Sequence, residues 1–293
     1  MMPASPTETD NAAESATKSR PGMSTRHRVL FFVTAWFIAF MPILFWWNTW
    51  FGRNLSDKQV TAYLQDDRHP RHIQHALVQM GEHMSRHDTG TTRWYPELVR
   101  LATHPVEEVR NTDAWVLGQD TSGPGFREAL LKLLNDPSPL VRGNAALSLV
   151  RYGDATGRPQ IVQLLQPVKI VAPIAGKVID ADRPGTAIRQ GGLIAKIQDE
   201  RQTEELRSPI SGRIRNLFAQ TGQTVSAGAE IATIDPAVDQ AWEALRALYL
   251  VGQSEDLAAV TPYERDLPEI PDHVRQQAVL TDKAIRERTA TTR

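Results

Sequence analysis

Apolar and polar positions fall into successive patterns along the chain. Residues 1–28 show no apolar period and are rich in Ala, Thr, Ser and Glu, a composition that predicts a disordered tail. Residues 29–51, "VLFFVTAWFIAFMPILFWWNTWF", are 23 positions without a charge. A helix of that length reaches roughly 34 Å, enough to cross a hydrocarbon core with some tilt. Residues 57–166 carry apolar positions at helical spacing, broken by short Gly, Pro and Asp stretches. From 168 to 235 the pattern becomes short β-branched runs between glycine turns, which predicts strands. Helical spacing returns over 237–288, where Trp242, Leu245, Leu248 and Tyr249 define an apolar face on a helix ending at Gly252. "TPYERDLPEIPDHV" (261–274) reads as an extended connection.

The helical region repeats itself. Pro105, Val109, Arg110, Ala114 and Leu117 recur 32 residues later as Pro137, Val141, Arg142, Ala146 and Leu149. Paired helices at a fixed period near thirty predict an α-solenoid. These residues resemble HEAT-like repeats of the phycobilisome-lyase type. The resemblance implies a structural role for Arg110 and Arg142, bonding between neighbouring repeats. Residues 57–90 fit the register poorly and read as a degenerate first repeat or cap. Pro271, Val274, Arg275 and Ala278 follow an order like Pro137, Val141, Arg142 and Ala145, so the β segment reads as inserted into the array.

The β segment is itself double. Pro173 and Gly176 recur as Pro209 and Gly212, 36 residues on. Gly185, Ile188, Gly191 and Ile197 recur as Gly222, Val225, Gly228 and Ile234, 37 residues on. Val168 to Asp235 resembles the biotinyl/lipoyl carrier fold, a flattened barrel of two four-stranded sheets. In the carriers the modified lysine sits eight residues before the second-half proline, on the hairpin joining the halves. Counting back from Pro209 gives Arg201. A guanidinium stays protonated and is a poor acyl acceptor, so the swinging-arm function is expected to be absent. Neither Lys196 nor Lys177 falls at a hairpin tip in this alignment. The segment is also similar to the unmodified domain of haemolysin-secretion-type membrane fusion proteins, which begin with one N-terminal anchor. Only about ten residues separate the two halves here, so the long helical hairpin of those proteins is missing.

Composition narrows the chemistry. Lys plus Arg number 33 against 34 Asp plus Glu, which gives no global field toward nucleic acid. There is no cysteine, which excludes disulfides, thiol nucleophiles and zinc knuckles. His69, His72, His75, His83 and His87 crowd the first helices, and His83 with His87 has the spacing of two ligands on one helix face. No H-E-x-x-H motif completes that pair, and no metal site is assigned from it. No phosphate loop, nucleophile elbow or carboxylate pair stands out. Lys18, Arg20, Arg26 and Arg28 precede the apolar run, against Arg53 and Lys58 after it. That asymmetry puts the tail in the cytoplasm and the body outside, with Trp46, Trp47 and Trp50 at the membrane interface.

The expectation is therefore a multidomain α plus β chain. It comprises a single N-terminal transmembrane helix, an α-solenoid of HEAT-like repeats, and a barrel-sandwich β domain inserted before the last helices. The expected role is a periplasmic, membrane-tethered adaptor or scaffold rather than an enzyme. It would take protein partners of a transport or envelope complex, with Arg201 and Gln202 as candidate contacts and no cofactor or nucleic acid. The alternative is an acyl or biotin carrier, or an accessory subunit of an enzyme complex, which Arg201 disfavours.

Overall fold

The computed structural model describes residues 54–291 together with Phe31, Val33, Thr34, Trp36 and Ile38. Those five are helical and exposed. The rest of the expected tail and transmembrane segment, including Trp46, Trp47 and Trp50, lies outside the described residues. Among the described residues no helix is long and apolar enough to cross a membrane. The chain divides after Arg53 into two units, and the second carries everything below.

Its helices are α1 (Asp57–Leu64), α2 (Pro70–Ser85), α3 (Tyr95–Leu101), α4 (Glu107–Leu117), α5 (Phe126–Leu133), α6 (Pro139–Arg151) and α7 (Arg158–Gln163). After the strands come α8 (Val238–Val251), the one-turn α9 (Leu257–Val260) and α10 (Asp272–Thr291). Proline in the first turn starts α2, α3, α6 and α7, where its missing N–H is not needed. Helices as short as α5 and α7 do not hold by propensity. Tertiary burial holds them: Phe126, Leu130 and Ile161 are fully buried, each contributing about 1.5–3 kcal/mol.

The second helices of the pairs form a ladder, α2 on α4, α4 on α6, α6 on α8 and α8 on α10. Side chains lock successive rungs to backbone carbonyls. Ser148 Oγ donates to Ala114 O at 2.7 Å, and Tyr152 OH to Leu117 O at 2.7 Å. On the far side of the strands, Thr281 Oγ1 donates to Leu245 O at 2.9 Å, and Arg288 Nη2 to Leu248 O at 3.2 Å. So α10 sits on α8 much as α6 sits on α4. One apolar cluster runs through the helical array, joining Leu164 and Leu165 before the strands to Ala241, Leu245 and Leu248 after them. Tyr263 OH donates to Leu165 O at 2.8 Å across the same junction.

The repeated arginines behave alike in one respect and differ in another. Arg110 Nη1 donates to His104 O and Pro105 O at 2.8 and 3.0 Å, and Arg142 Nη1 to Asp136 O and Pro137 O at 2.7 and 2.9 Å. Each thus clamps the loop that precedes its own helix. Arg110 also spans repeats, with Nε and Nη2 on the Asp136 carboxylate at 2.6 and 3.0 Å. The expectation of a bridging role is met by Arg110, whereas Arg142 bonds its own loop. Thirty-two residues past Asp136 stands Val168, the first residue of the β domain, which offers no carboxylate.

One residue contradicts the packing around it. Asp113 in α4 is fully buried, and among the described residues neither of its carboxylate oxygens has a hydrogen-bond partner. Burial pushes its carboxyl well above the usual range, and attraction to Arg100 offsets only part of that. A raised folded pKa means the native state holds the proton longer than the unfolded chain. The resulting penalty is absent below the ordinary carboxylate range and grows as pH rises through it. One repeat on, the position is Ala145. Asp113→Ala is therefore expected to stabilise the protein by about 1–3 kcal/mol at neutral pH and by little in acid. Urea unfolding at both pH values checks this, and a loss of stability at neutral pH would contradict it.

The strands are β1 (Val168–Val171), β2 (Gly176–Ala181), β3 (Ala187–Ile188), β4 (Leu193–Gln198), β5 (Thr203–Arg207), β6 (Gly212–Leu217), β7 (Thr224–Val225) and β8 (Glu230–Pro236). They form two four-stranded sheets, ordered β1-β8-β6-β3 and β5-β4-β2-β7, with every pairing antiparallel. Each sheet takes two strands from each sequence half, so the halves interlock. Val178, Ile197, Ile214, Ile231 and Ile234 fill a core separate from the helical one. The domain leans on the helices through Leu140 of α6, packed against that core, and through Gln190 Nε2, which donates to Glu107 Oε1 at 2.8 Å.

Candidate functional site

The hairpin between β4 and β5 joins the two halves of the β domain. Lys196 pairs with Glu205, Ile197 with Glu204 and Gln198 with Thr203, leaving Asp199 to Gln202 as the turn. Asp199 Oδ1 accepts from the backbone N–H groups of Arg201 and Gln202 at 2.7 and 2.8 Å, and Asp199 N–H donates to Gln202 O at 3.1 Å. The Arg201 bond, then the Gln202 bond, hold the Asp199 carboxyl below its usual range. The turn is thus closed by its own aspartate. Glu200, Arg201 and Gln202 stand exposed at its tip.

Both lysines considered for modification are in strands. Lys196 is half-buried in β4, with Nζ 3.1 Å from Glu205 Oε1. Glu205 also accepts from Arg207 at 2.5 Å, and the Lys196 bond followed by the Arg207 bond lowers its carboxyl. Lys177 is exposed in β2, opposite Gln198 and Thr224. The tip itself presents a guanidinium, which recognises carboxylates or stacks on aromatic faces but does not take an acyl group. The tip thus offers solvent a guanidinium and an amide, and its turn contains no amine side chain.

The histidine-rich segment is arranged differently from its helical spacing. Helix α2 ends at Ser85, and His87 lies outside it in the left-handed region with φ 60°. His83 and His87 therefore do not share a helix face, and His83 Nδ1 instead bonds Asp88 at 2.8 Å. The side chains that do converge are Asp66, His69 and His72, whose candidate ligand atoms all lie within 4.8 Å of one another. This cluster escaped the sequence reading because it straddles the turn before α2, where helical face arithmetic does not apply. Its only trace in sequence is the spacing Asp-x-x-His-x-x-His.

Comparisons with known proteins bear on the two folded parts separately. Residues 101–171 match the family model for HEAT repeats, and residues 168–234 match the family described as "Biotin-requiring enzyme". "Putative efflux system component YhbJ" of Bacillus subtilis (strain 168) is 46% identical over 68 residues, covering 22% of this chain and 30% of that protein. The chain thus spans less than a third of that relative's length. Among solved structures, a single-chain, multi-domain long-chain acyl-CoA carboxylase covers 39% of this chain and 12% of its own, with 16% identity and a TM-score of 0.24. An engineered protein covers 78% of both chains with 17% identity and a TM-score of 0.38. The chain combines HEAT repeats with a domain of the biotinyl/lipoyl type.

Proposed function

We propose that the chain is a membrane-anchored adaptor, not an enzyme, whose β domain docks onto a protein of a transport or envelope complex. The observation that carries this reading is the hairpin tip: a carrier-type fold offers Arg201 and Gln202 to solvent where a carrier would offer a lysine. The name of the curated relative, an efflux system component, supports a transport setting. Residues 29–51 are the anchor of this reading, with Trp46, Trp47 and Trp50 at the headgroup boundary, the N-terminus in the cytoplasm and the body in the periplasm. Tethering raises the local concentration of the body near other membrane proteins, so a weak docking contact suffices. HEAT repeats supply a second surface for protein partners, without nucleic acid or cofactor.

The test is a photo-crosslinking side chain placed at Gln202 in the intact chain, followed by mass spectrometry of the adducts. Links to a permease or channel component of a transport complex are the expected result. Biotin or lipoate found on Lys196 or Lys177 would overturn the reading, as would links confined to a metabolic enzyme. Deleting residues 29–51 is expected to disperse the complex, and an unchanged complex counts against the anchor.

A further inference from the structure

We propose that Asp66, His69 and His72 form a binding site for a divalent transition metal of the zinc class. The geometry is convergent. His69 Nδ1 lies 2.9 Å from both oxygens of the Asp66 carboxylate, and His72 Nδ1 lies 2.6 Å from Oδ2. Both imidazoles thus aim the same ring nitrogen at one carboxylate. The rings are held in place from the other side. His72 stacks on Tyr63 with centroids 4.4 Å apart and planes 11° apart, and His69 stacks on His72 at 4.8 Å. Tyr63 belongs to α1, and the two histidines stand at and just inside the start of α2, so two helices orient the set.

The donor chemistry selects the ion. Two imidazole nitrogens and one carboxylate oxygen suit zinc and its neighbours, whereas calcium and magnesium ask for oxygen ligands. Zinc bonds of about 2.0–2.1 Å place tetrahedral ligands about 3.3 Å apart. The present contacts of 2.9 and 2.6 Å are hydrogen-bonded and shorter than that spacing, so the three side chains must move apart to admit the ion. Each ring then presents the Nδ1 lone pair to the metal and keeps its proton on Nε2. His69 is 62% exposed and the cluster faces solvent, which leaves a coordination position for water or a donor from a partner. With three protein ligands, binding weaker than that of a closed four-ligand site is expected.

The experiment uses the whole 293-residue chain, purified in mild detergent without a histidine tag. Zinc binding is measured by competition with a chromogenic chelator, and cobalt substitution is followed by visible absorption. One zinc per chain is expected, with a cobalt band characteristic of low coordination number. His69→Gln and Asp66→Asn should each weaken binding at least tenfold, while His83→Gln leaves it unchanged. The exposure of His69 makes its variant safe for folding, so it decides the matter if Asp66→Asn fails to fold. Absence of stoichiometric zinc overturns the proposal, as does wild-type affinity in His69→Gln or a loss that follows His83→Gln.

Discussion

Replacing Arg110 by alanine is expected to destabilise the helical body by about 3 kcal/mol. Its side chain and that of Asp136 are 13% and 5% exposed, so the change strands a nearly buried carboxylate. Asp136 would keep only the Ser138 N–H, 2.9 Å from Oδ1, and the carbonyls of His104 and Pro105 would lose their donor. Burial pushes the Asp136 carboxyl up, but the bonds from Arg110 and Ser138 outweigh it and leave it below the usual range. A depressed folded pKa contributes stability above the ordinary carboxylate range and loses it as pH falls through the folded value. The gap between wild type and Arg110→Ala should therefore narrow in acid. Arg142→Ala is the control, expected to cost about 1 kcal/mol because it frees only its own loop. Denaturant titrations at neutral pH and near pH 3 measure all three. Equal costs for the two arginines would mean that the contact between repeats adds nothing.

The second large effect is expected at Gly212. A Cβ there would stand 1.8 Å from the backbone oxygen of Asp235, on the strand paired to it. Paired backbone cannot yield as a side chain does, so Gly212→Ala is expected to cost at least about 3 kcal/mol. Its counterpart Gly176 meets Gln198 O at 2.5 Å, a milder version of the same close approach. Because the β core and the helical core are separate clusters, the loss should be local. Hydrogen exchange should show protection lost over 168–236 and retained in the helices. Loss of protection in both would mean that the two parts fold as one unit.

Much of this fold is visible in the sequence because its strictest requirements recur. The Pro-x-x-x-Val-Arg core appears twice since the arginine must reach the carbonyls of its own loop. The Pro-x-x-Gly pair appears twice since two strand crossings leave no room for a Cβ. What stayed hidden depends on neighbours distant in sequence. Tyr249 fits the apolar spacing of α8, yet it is 43% exposed because α10 covers the Leu245 and Leu248 side. The connection read as extended over 261–274 begins with a tight 3-10 turn, Thr261–Glu264, too short to carry a period. Asp113 occupies a helix-face position that spacing alone assigns to the interior, with nothing to mark it as orphaned. The Asp66 cluster needs the bend between α1 and α2, which no local pattern specifies.

The chain leaves the helical array after Leu165 and rejoins it at Ala237, and Gln240 of α8 donates to Leu164 O at 3.3 Å beside the point of departure. The β domain is therefore a side branch with both roots at one joint. A pull on its hairpin is shared by two covalent roots and by the contacts at Glu107 and Leu140, so it enters the array at α4, α6 and the α7–α8 joint. Mechanical load at the tip would therefore reach the array partway along it rather than at its ends.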